Sequence, residues 1–322
     1  MTVQNILAPV AGDMQAVDAV IRHSLHSEVV LIRQVAEYIV NAGGKRLRPA
    51  LLLLTAGAMD YRGENQHKLA AVVELIHTAT LLHDDVVDES ELRRGNKTAN
   101  TLFGNAASVL VGDFLYTRAF QMMVEVGDLR IMQVLSDAIN IISEGEVLQL
   151  LNCHDADVDI EGYLQVIRYK TAKLFEASAR IGGILGRADE AQEAALAAYG
   201  MHMGTAFQLI DDVLDYSAEE ALTGKHVGDD LAEGKPTLPL IHVMQHGTAE
   251  QAALVRSAIE RGGRDDFPGV LEAIRQTGAL DETRRHARAE AKRAENALSA
   301  LPASIYKESL LELTAFAVER DH

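Results

Sequence analysis

The sequence has no tryptophan, one cysteine, six prolines and few aromatic rings of any kind. Each shortage removes a class of protein. A lone Cys153 cannot build an internal disulfide framework, so the fold must rest on an apolar core, and a reducing cytoplasm suits it. Scarce proline removes the main interrupter of long helices. Basic charge is short as well: 30 Lys and Arg stand against 47 Asp and Glu, a formal net charge of −17. A chain so acidic, and so poor in rings for stacking, lacks the cationic face that nucleic acid requires. No apolar run approaches the roughly 18 residues of a membrane span. The opening "MTVQNILAPVAGDMQ" has no basic stretch followed by an apolar one, so no secretory signal is expected.

What is present is apolar and helix-forming. Of the 322 residues, 48% are hydrophobic, enough to fill a sizeable core and to argue against disorder. Ala, Leu, Glu, Gln and Arg, all good helix formers, recur throughout. Apolar residues keep helical spacing over residues 18–40, 108–126, 128–151, 163–185 and 190–210. Alternation of period two between turn signals is missing. Asn41-Ala42-Gly43-Gly44 reads as the end of one helix, and Pro49 as part of the first turn of the next. The expectation is an all-α fold in a single domain over residues 1–322, without a linker rich in Pro, Gly or Ser. One long irregular stretch, residues 217–237, is a candidate lid, since loops of that length are usually functional. The C-terminal portion, roughly the last seventy residues, is expected to be scaffold without chemistry.

Two acidic clusters interrupt the apolar helices: "LLHDDVVDES" from residue 81 and "QLIDDVLDYS" from residue 208. On a helix, residues four apart share a face with a rise of roughly 6 Å between them. Asp84 and Asp88 therefore point one way, and so do Asp211 and Asp215. A single copy reads as a solvated polar patch. Two copies, each after a strongly apolar run, need compensation, because like charges taken out of water must be neutralised or protonated. Carboxylates are hard oxygen ligands, and one or two of them with a substrate phosphate is the usual way to hold Mg²⁺. The glycine and spacing of an EF-hand calcium loop are absent. The pattern points to Mg²⁺ and a polyphosphate.

Phosphate also needs cations. "GGKRLRP", residues 43–49, supplies Lys45 and Arg48 ahead of a helix start, where the dipole adds positive charge. The P-loop spacing is missing, and as an isolated stretch this is an ordinary helix–helix turn. Arg93 and Arg94 follow Asp88 where the motif helix should end, a position at which arginines often serve only the helix dipole. "RYKTAKL" gives Lys170 and Thr171, and the long loop gives Lys225 and Lys235. His77 lies two turns before Asp84 on nearly the same face; its alternatives are a diphosphate contact and a satisfied core histidine. Arg46 reads as surface charge. No Ser–His–Asp pattern is evident, and Cys153 has no convincing partner.

Together, "GGKRLRP", "LLHDDVVDESELRRG", "YKTAKLFEAS", "FQLIDDVLDY" and "GKHVGDDLAEGKPTLPLI" resemble the trans (all-E) prenyl diphosphate synthases, in order and over almost the whole chain. The resemblance implies an all-α isoprenoid synthase-type bundle around a deep central cavity, usually a homodimer. It implies that Asp84 and Asp88 bind Mg²⁺ bridging an allylic diphosphate, with Asp211 and Asp215 completing the metal cage and Asp85 and Asp212 supporting it. Arg93, Lys170, Thr171, Gln208 and Lys235, with Lys225 nearby, would hold the allylic diphosphate or the cation behind it. Lys45, Arg48, His77 and Arg94 would hold isopentenyl diphosphate. The wording around the motifs is similar to members that extend farnesyl diphosphate to octaprenyl diphosphate for the ubiquinone side chain.

Product length adds one further expectation. The growing tail must leave through an apolar tunnel beside the first motif helix. Ala79 and Thr80, five and four residues before Asp84, are small where short-chain relatives usually carry aromatics, which favours a long product. The plain alternative is close helix packing at Ala79, and Met122 and Met123 read more readily as core filler than as channel wall. Competing readings are a nonaprenyl or geranylgeranyl product, a terpene cyclase, and a non-catalytic subunit of a heteromeric synthase. A cyclase would need no second diphosphate site, and a non-catalytic subunit should carry damaged motifs; here they are intact.

Overall fold

The computed structural model describes residues 2–217 and 227–320. It is all-α, with one two-stranded hairpin as the sole sheet among the described residues. The chain divides into two compact units: Met1–Asp137 with Leu174–Gly200 and Ala297–Leu313, and Ala138–Lys173 with Met201–Asn296 and Thr314–His322.

The first unit begins with α1 (Val3–Ile6), α2 (Ala11–Ser24), α3 (Val30–Asn41), α4 (Leu47–Ala58) and α5 (Asn65–Val87). The helical pattern over residues 18–40 is interrupted between α2 and α3. There the Ser27 hydroxyl accepts the Val29 N–H at 3.2 Å, a local bond that competes with the helix ladder. In α4 every residue is buried except Arg48, which is half-buried, so the helix forms the centre of the unit. α5 is followed by β1 (Leu92–Arg93), β2 (Asn96–Lys97), α6 (Ala99–Phe103) and α7 (Asn105–Val126). It packs against α2, α4 and, most extensively, α7. Fully buried Leu69, Leu75, Ile76 and Leu82 supply much of that contact, each contributing about 1.5–3 kcal/mol. The Ser108 hydroxyl donates to the Leu82 carbonyl at 2.8 Å and fixes the two helices lengthwise.

The second unit draws on α8 (Leu129–Asn152), α9 (Ile160–Ile167) and α11 (Glu190–Ser217), which follows α10 (Lys173–Leu185). Beyond lie α12 (Asp229–Ala232), α13 (Leu238–His246), α14 (Ala249–Arg261), α15 (Phe267–Thr277), α16 (Ala279–Ala297) and α17 (Ile305–Glu319). One apolar cluster joins Tyr163, Leu164, Leu209, Ile210 and Leu238; another joins Tyr216, Leu231, Leu240, Val255 and Val270. Residues of both clusters come from the end of α11, so the second acidic motif sits on a helix held from two sides.

Candidate active site

Both acidic motifs sit at the C-terminal ends of their helices. Asp84 is in the last turn of α5, and Asp88 caps it, its N–H donating to the Asp84 carbonyl at 2.8 Å. Asp211 and Asp215 occupy the closing turns of α11, and neither helix has a basic residue in its last turn. Acid is unfavourable at the negative end of a helix dipole. Both helices therefore end on acidic charge that their own last turns do not offset. Asp84, Asp88, Asp211 and Asp215 are half-buried, whereas Asp85 and Asp212 are buried.

Asp85 anchors a hairpin. Its Oδ1 accepts from Arg93 Nε at 2.8 Å and Nη2 at 2.6 Å, and its backbone carbonyl accepts from Ser90 N–H and from Asn100 Nδ2, each at 3.0 Å. Leu92 pairs with Lys97 and Arg93 with Asn96 in an antiparallel register. Arg94 and Gly95 turn at φ values of 53° and 77°, the sign a tight hairpin turn requires. The two arginines thus lie on a β-turn rather than at a helix end. A helical pattern cannot announce it; the "RRGN" turn chemistry is the one signal available.

The hairpin meets the "GGKRLRP" turn. A Cβ on Gly44, which sits at φ 144°, would lie 2.7 Å from Arg94 Nη1, so glycine here lets the guanidinium rest on the backbone. Arg48 Nη1 approaches His77 Nε2 at 3.1 Å, and its guanidinium stacks 4.4 Å from the Phe175 ring centroid. Arg48, His77 and Arg94 are therefore brought together, with half-buried Lys45 in the same turn. Arg46 corrects the sequence reading: it adopts a left-handed φ of 46°, pairs with Asp18 at 2.7 Å and is largely covered, not surface charge. Glu74, one turn before His77, is pushed up by burial against the lowering pull of Arg46, Arg48 and Arg94.

His77 is held well below the usual histidine range, by burial first and then by Arg48, Arg94 and Arg93. Arginine cannot accept, so the neutral ring accepts from Arg48 through Nε2 and keeps its proton on Nδ1. His77 is thus a neutral donor beside the cations. Because its folded pKa is depressed, its contribution to stability is present above about pH 6.5 and is lost as pH falls through the folded value. Nitrogen-detected NMR should find the ring still neutral at pH 6; titration near 6.5 would contradict this environment.

In the second unit, residues Arg168–Ala172 form a single π-helical turn between α9 and α10, a feature frequent at functional sites. It carries Lys170 and Thr171. Gly145 permits it: a Cβ there would lie 2.7 Å from the Lys170 amide nitrogen. Lys170 Nζ pairs with Glu146 at 2.5 Å. Thr171 donates to Gln208 Oε1 at 3.0 Å, and Gln208 Nε2 donates to Asp212 Oδ1 at 2.9 Å, with the Tyr163 hydroxyl on the other Asp212 oxygen. Thr171 and Gln208 thus meet next to the second motif, and Lys170 precedes Thr171 in the same π-turn.

The chain returns to that motif after residues 218–226, and Lys225 lies outside the described residues. Gly228 N–H donates to the Asp215 carbonyl at 3.0 Å and Asp230 N–H to Asp215 Oδ2 at 3.3 Å. Lys235 pairs with Glu233 and donates its N–H to the Asp230 carbonyl at 2.8 Å. Two residues with no sequence signature hold this segment. His154, left-handed at φ 63°, donates its N–H to the Gly234 carbonyl at 2.8 Å and reaches the Ile259 carbonyl through Nδ1 at 3.1 Å. Arg264 donates to the Val227 carbonyl at 2.8 Å and pairs with Asp229.

Known proteins match this geometry and sequence closely. The polyprenyl synthetase family matches residues 29–274. The chain belongs to that family. It is 54% identical to octaprenyl diphosphate synthase of Escherichia coli (strain K12) over all of both chains, and 45% identical to an all-trans-nonaprenyl-diphosphate synthase (geranyl-diphosphate specific) of Rhodobacter capsulatus over 98% of each. Among solved structures, a polyprenyl synthase from Caulobacter crescentus CB15 complexed with calcium and isoprenyl diphosphate shares 42% identity and a TM-score of 0.96, covering 100% of this chain and 98% of that one. As a polyprenyl synthase the chain is a trans-prenyltransferase with the all-α isoprenoid synthase fold.

Polyprenyl synthases depend on metal, and the residues present fit one. Among the described residues no three Asp, Glu, His or Cys side chains converge into a ready-made metal cage. The second motif shows charge in excess. Asp212 is pushed up to about 8 by burial and by the Asp230 and Asp211 carboxylates, against the lowering bonds from Tyr163 and Gln208. A divalent cation beside these acids would relieve that repulsion.

The two residues expected to set product length differ in setting. Ala79 is completely buried in α5, whereas Thr80 is half-buried and returns its hydroxyl to the His77 carbonyl at 2.7 Å. Met122 and Met123 are buried in α7.

Proposed function

We propose that the chain condenses isopentenyl diphosphate onto farnesyl diphosphate and repeats the step until octaprenyl diphosphate is released for the ubiquinone side chain. The 54% identity to the Escherichia coli octaprenyl enzyme along the entire chain carries this reading. Lys45, Arg48, Arg94 and neutral His77 hold isopentenyl diphosphate. Arg93, Lys170, Thr171, Gln208 and Lys235, with Lys225 nearby, hold the allylic diphosphate or the cation behind it. Asp84, Asp88, Asp211 and Asp215 hold Mg²⁺ for the same reaction, in a single polyprenyl synthase domain over residues 1–322. The identity to the Escherichia coli enzyme, which runs over all of both chains, supports that extent.

Bound there, Mg²⁺ supplies Lewis-acid neutralisation of the charge that grows on the departing diphosphate. The chain's own contribution is preorganisation. Asp85 fixes Arg93 and Glu146 fixes Lys170 before substrate arrives, so these cations need little rearrangement as charge develops. As the allylic C1–O bond breaks, the double bond of isopentenyl diphosphate, held in place by the basic cluster, attacks C1. A proton then leaves to the released diphosphate, and the product is one isoprene unit longer. Water must be excluded, or the carbocation becomes an alcohol.

The test is one incubation of the purified chain with Mg²⁺, farnesyl diphosphate and isopentenyl diphosphate, with products resolved by mass. A ladder ending at eight units supports the proposal. The 45% identity to a nonaprenyl synthase favours nine units as the second reading, and a ladder ending there would select it. A cyclised hydrocarbon, or no product until another protein is added, would contradict both.

The proposal includes a cytoplasmic homodimer. No helix among the described residues is long and apolar enough to cross a membrane. α7 buries Val111, Leu115, Ala119 and Met122 on one face, yet Val109, Leu110, Phe120 and Val124 are exposed along the other. A helix apolar on both faces is usually covered on both. A second copy of α7 would cover the outer stripe. Leu110→Glu with Val124→Glu should convert a dimer to monomers by light scattering; a wild-type monomer, or an unaltered dimer in the variant, would contradict this.

A further inference from the structure

The C-terminal portion, expected to be scaffold, delivers a cation to the second acidic motif. Arg320 follows the last residue of α17, and its side chain is 4% exposed. Its guanidinium stacks 3.7 Å from the Phe207 ring centroid. Nη2 donates to the Phe207 carbonyl at 2.7 Å and to Asp211 Oδ1 at 2.5 Å, and Nε donates to the Ala317 carbonyl at 3.3 Å. Phe207 and Asp211 are one helical turn apart on α11, so ring, carbonyl and carboxylate grip the guanidinium together. Arg320 also lies beyond residue 274, where the family match ends.

Two roles are open to a buried cation at such a carboxylate. It can stand in for a metal that must later displace it, or it can orient the carboxylate for that metal. The anchoring favours orientation. A guanidinium stacked on Phe207 and bonded to two backbone carbonyls cannot swing aside without leaving polar groups unpaired out of water, which is costly. A carboxylate has about four lone-pair sites, and Arg320 is bonded to one oxygen only. We propose that Arg320 is a positioning residue for Asp211: it fixes the carboxylate through Oδ1 and thereby directs Oδ2 to a divalent cation bound with diphosphate. The inference rests on the reading of Asp211 as a metal ligand. Partners of this kind, one shell behind the ligand, typically change metal affinity by about 10–100-fold.

The test is Mn²⁺ binding to the full chain in the presence of inorganic diphosphate, followed by electron paramagnetic resonance without turnover. Arg320→Met keeps bulk over Phe207 and removes the charge; Arg320→Lys keeps the charge without the fork. Mn²⁺ affinity should fall about 10-fold or more in Arg320→Met and by an intermediate amount in Arg320→Lys. Measured well below each variant's Tm, this readout is separate from any loss of stability. If Arg320→Met does not fold, the Lys variant carries the test alone. Wild-type affinity in the variants, or tighter binding, would overturn the positioning role while leaving the proposed function intact. Failure of the wild-type chain to bind Mn²⁺ with diphosphate would instead overturn the metal reading, and this inference with it.

Discussion

Replacing Asp84 with Ala, or Asp211 with Ala, is expected to lower kcat by about 10³-fold or more without unfolding the protein. Several kcal/mol of transition-state stabilisation are at stake when a metal clamp on a leaving group is weakened, and each 1.36 kcal/mol is tenfold in rate. Stability should move the other way or hardly at all. Asp84 sits in the last turn of α5, where its charge opposes the helix dipole and the turn itself contains no basic residue. Asp211 is a partial exception, because its removal strands the buried Arg320. The Asp84 variant should therefore keep the wild-type Tm, and the Asp211 variant should lose some of it. Steady-state kinetics with calorimetry on both variants checks this. Near-normal kcat in either would remove that residue from the metal site.

Ala79→Phe should shorten the product by one or more isoprene units while leaving turnover in place. A shorter product requires space beside Ala79 for a prenyl tail, and the mass of the longest product reads it directly. Ala79 has no exposed surface, so the competing outcome is overpacking, at about 1–3 kcal/mol. The two separate cleanly when product mass and Tm are measured on the same preparation. A shorter product with a modest fall in Tm supports a tail path along this stretch of α5. A large fall in Tm with unchanged product length would make Ala79 a packing residue. Thr80→Phe, at a half-buried position on the same face as Asp84, is the companion variant that tests the same wall with less overpacking.

The helices and the motif residues were legible because their signals are local and periodic. α7 and α8 follow the apolar spacing to within a few residues, and both acidic pairs lie at i and i+4 as the pattern requires. What escaped has other physics. The π-turn under Lys170 depends on Gly145, a close approach from another helix that no periodicity records. Arg46, Arg94 and His154 adopt positive φ without being glycine, so nothing in their side-chain type announces the turn. Arg46 looked exposed because its partner Asp18 stands far back in the chain. Arg320 fell within a stretch expected to be scaffold because its stacking and hydrogen bonds reach more than a hundred residues upstream. Contacts made by fold closure leave no local or periodic trace in the sequence.

The central claim is that two aspartate pairs grip divalent metal to draw diphosphate from an allylic substrate. Its most direct test is metal removal: the purified chain, stripped with chelator, is given farnesyl and isopentenyl diphosphates, and released inorganic diphosphate is counted before and after Mg²⁺ is restored. We expect no release in chelator and full release with a long prenyl product once Mg²⁺ returns. Diphosphate release and chain growth that continue unchanged in chelator would contradict the account.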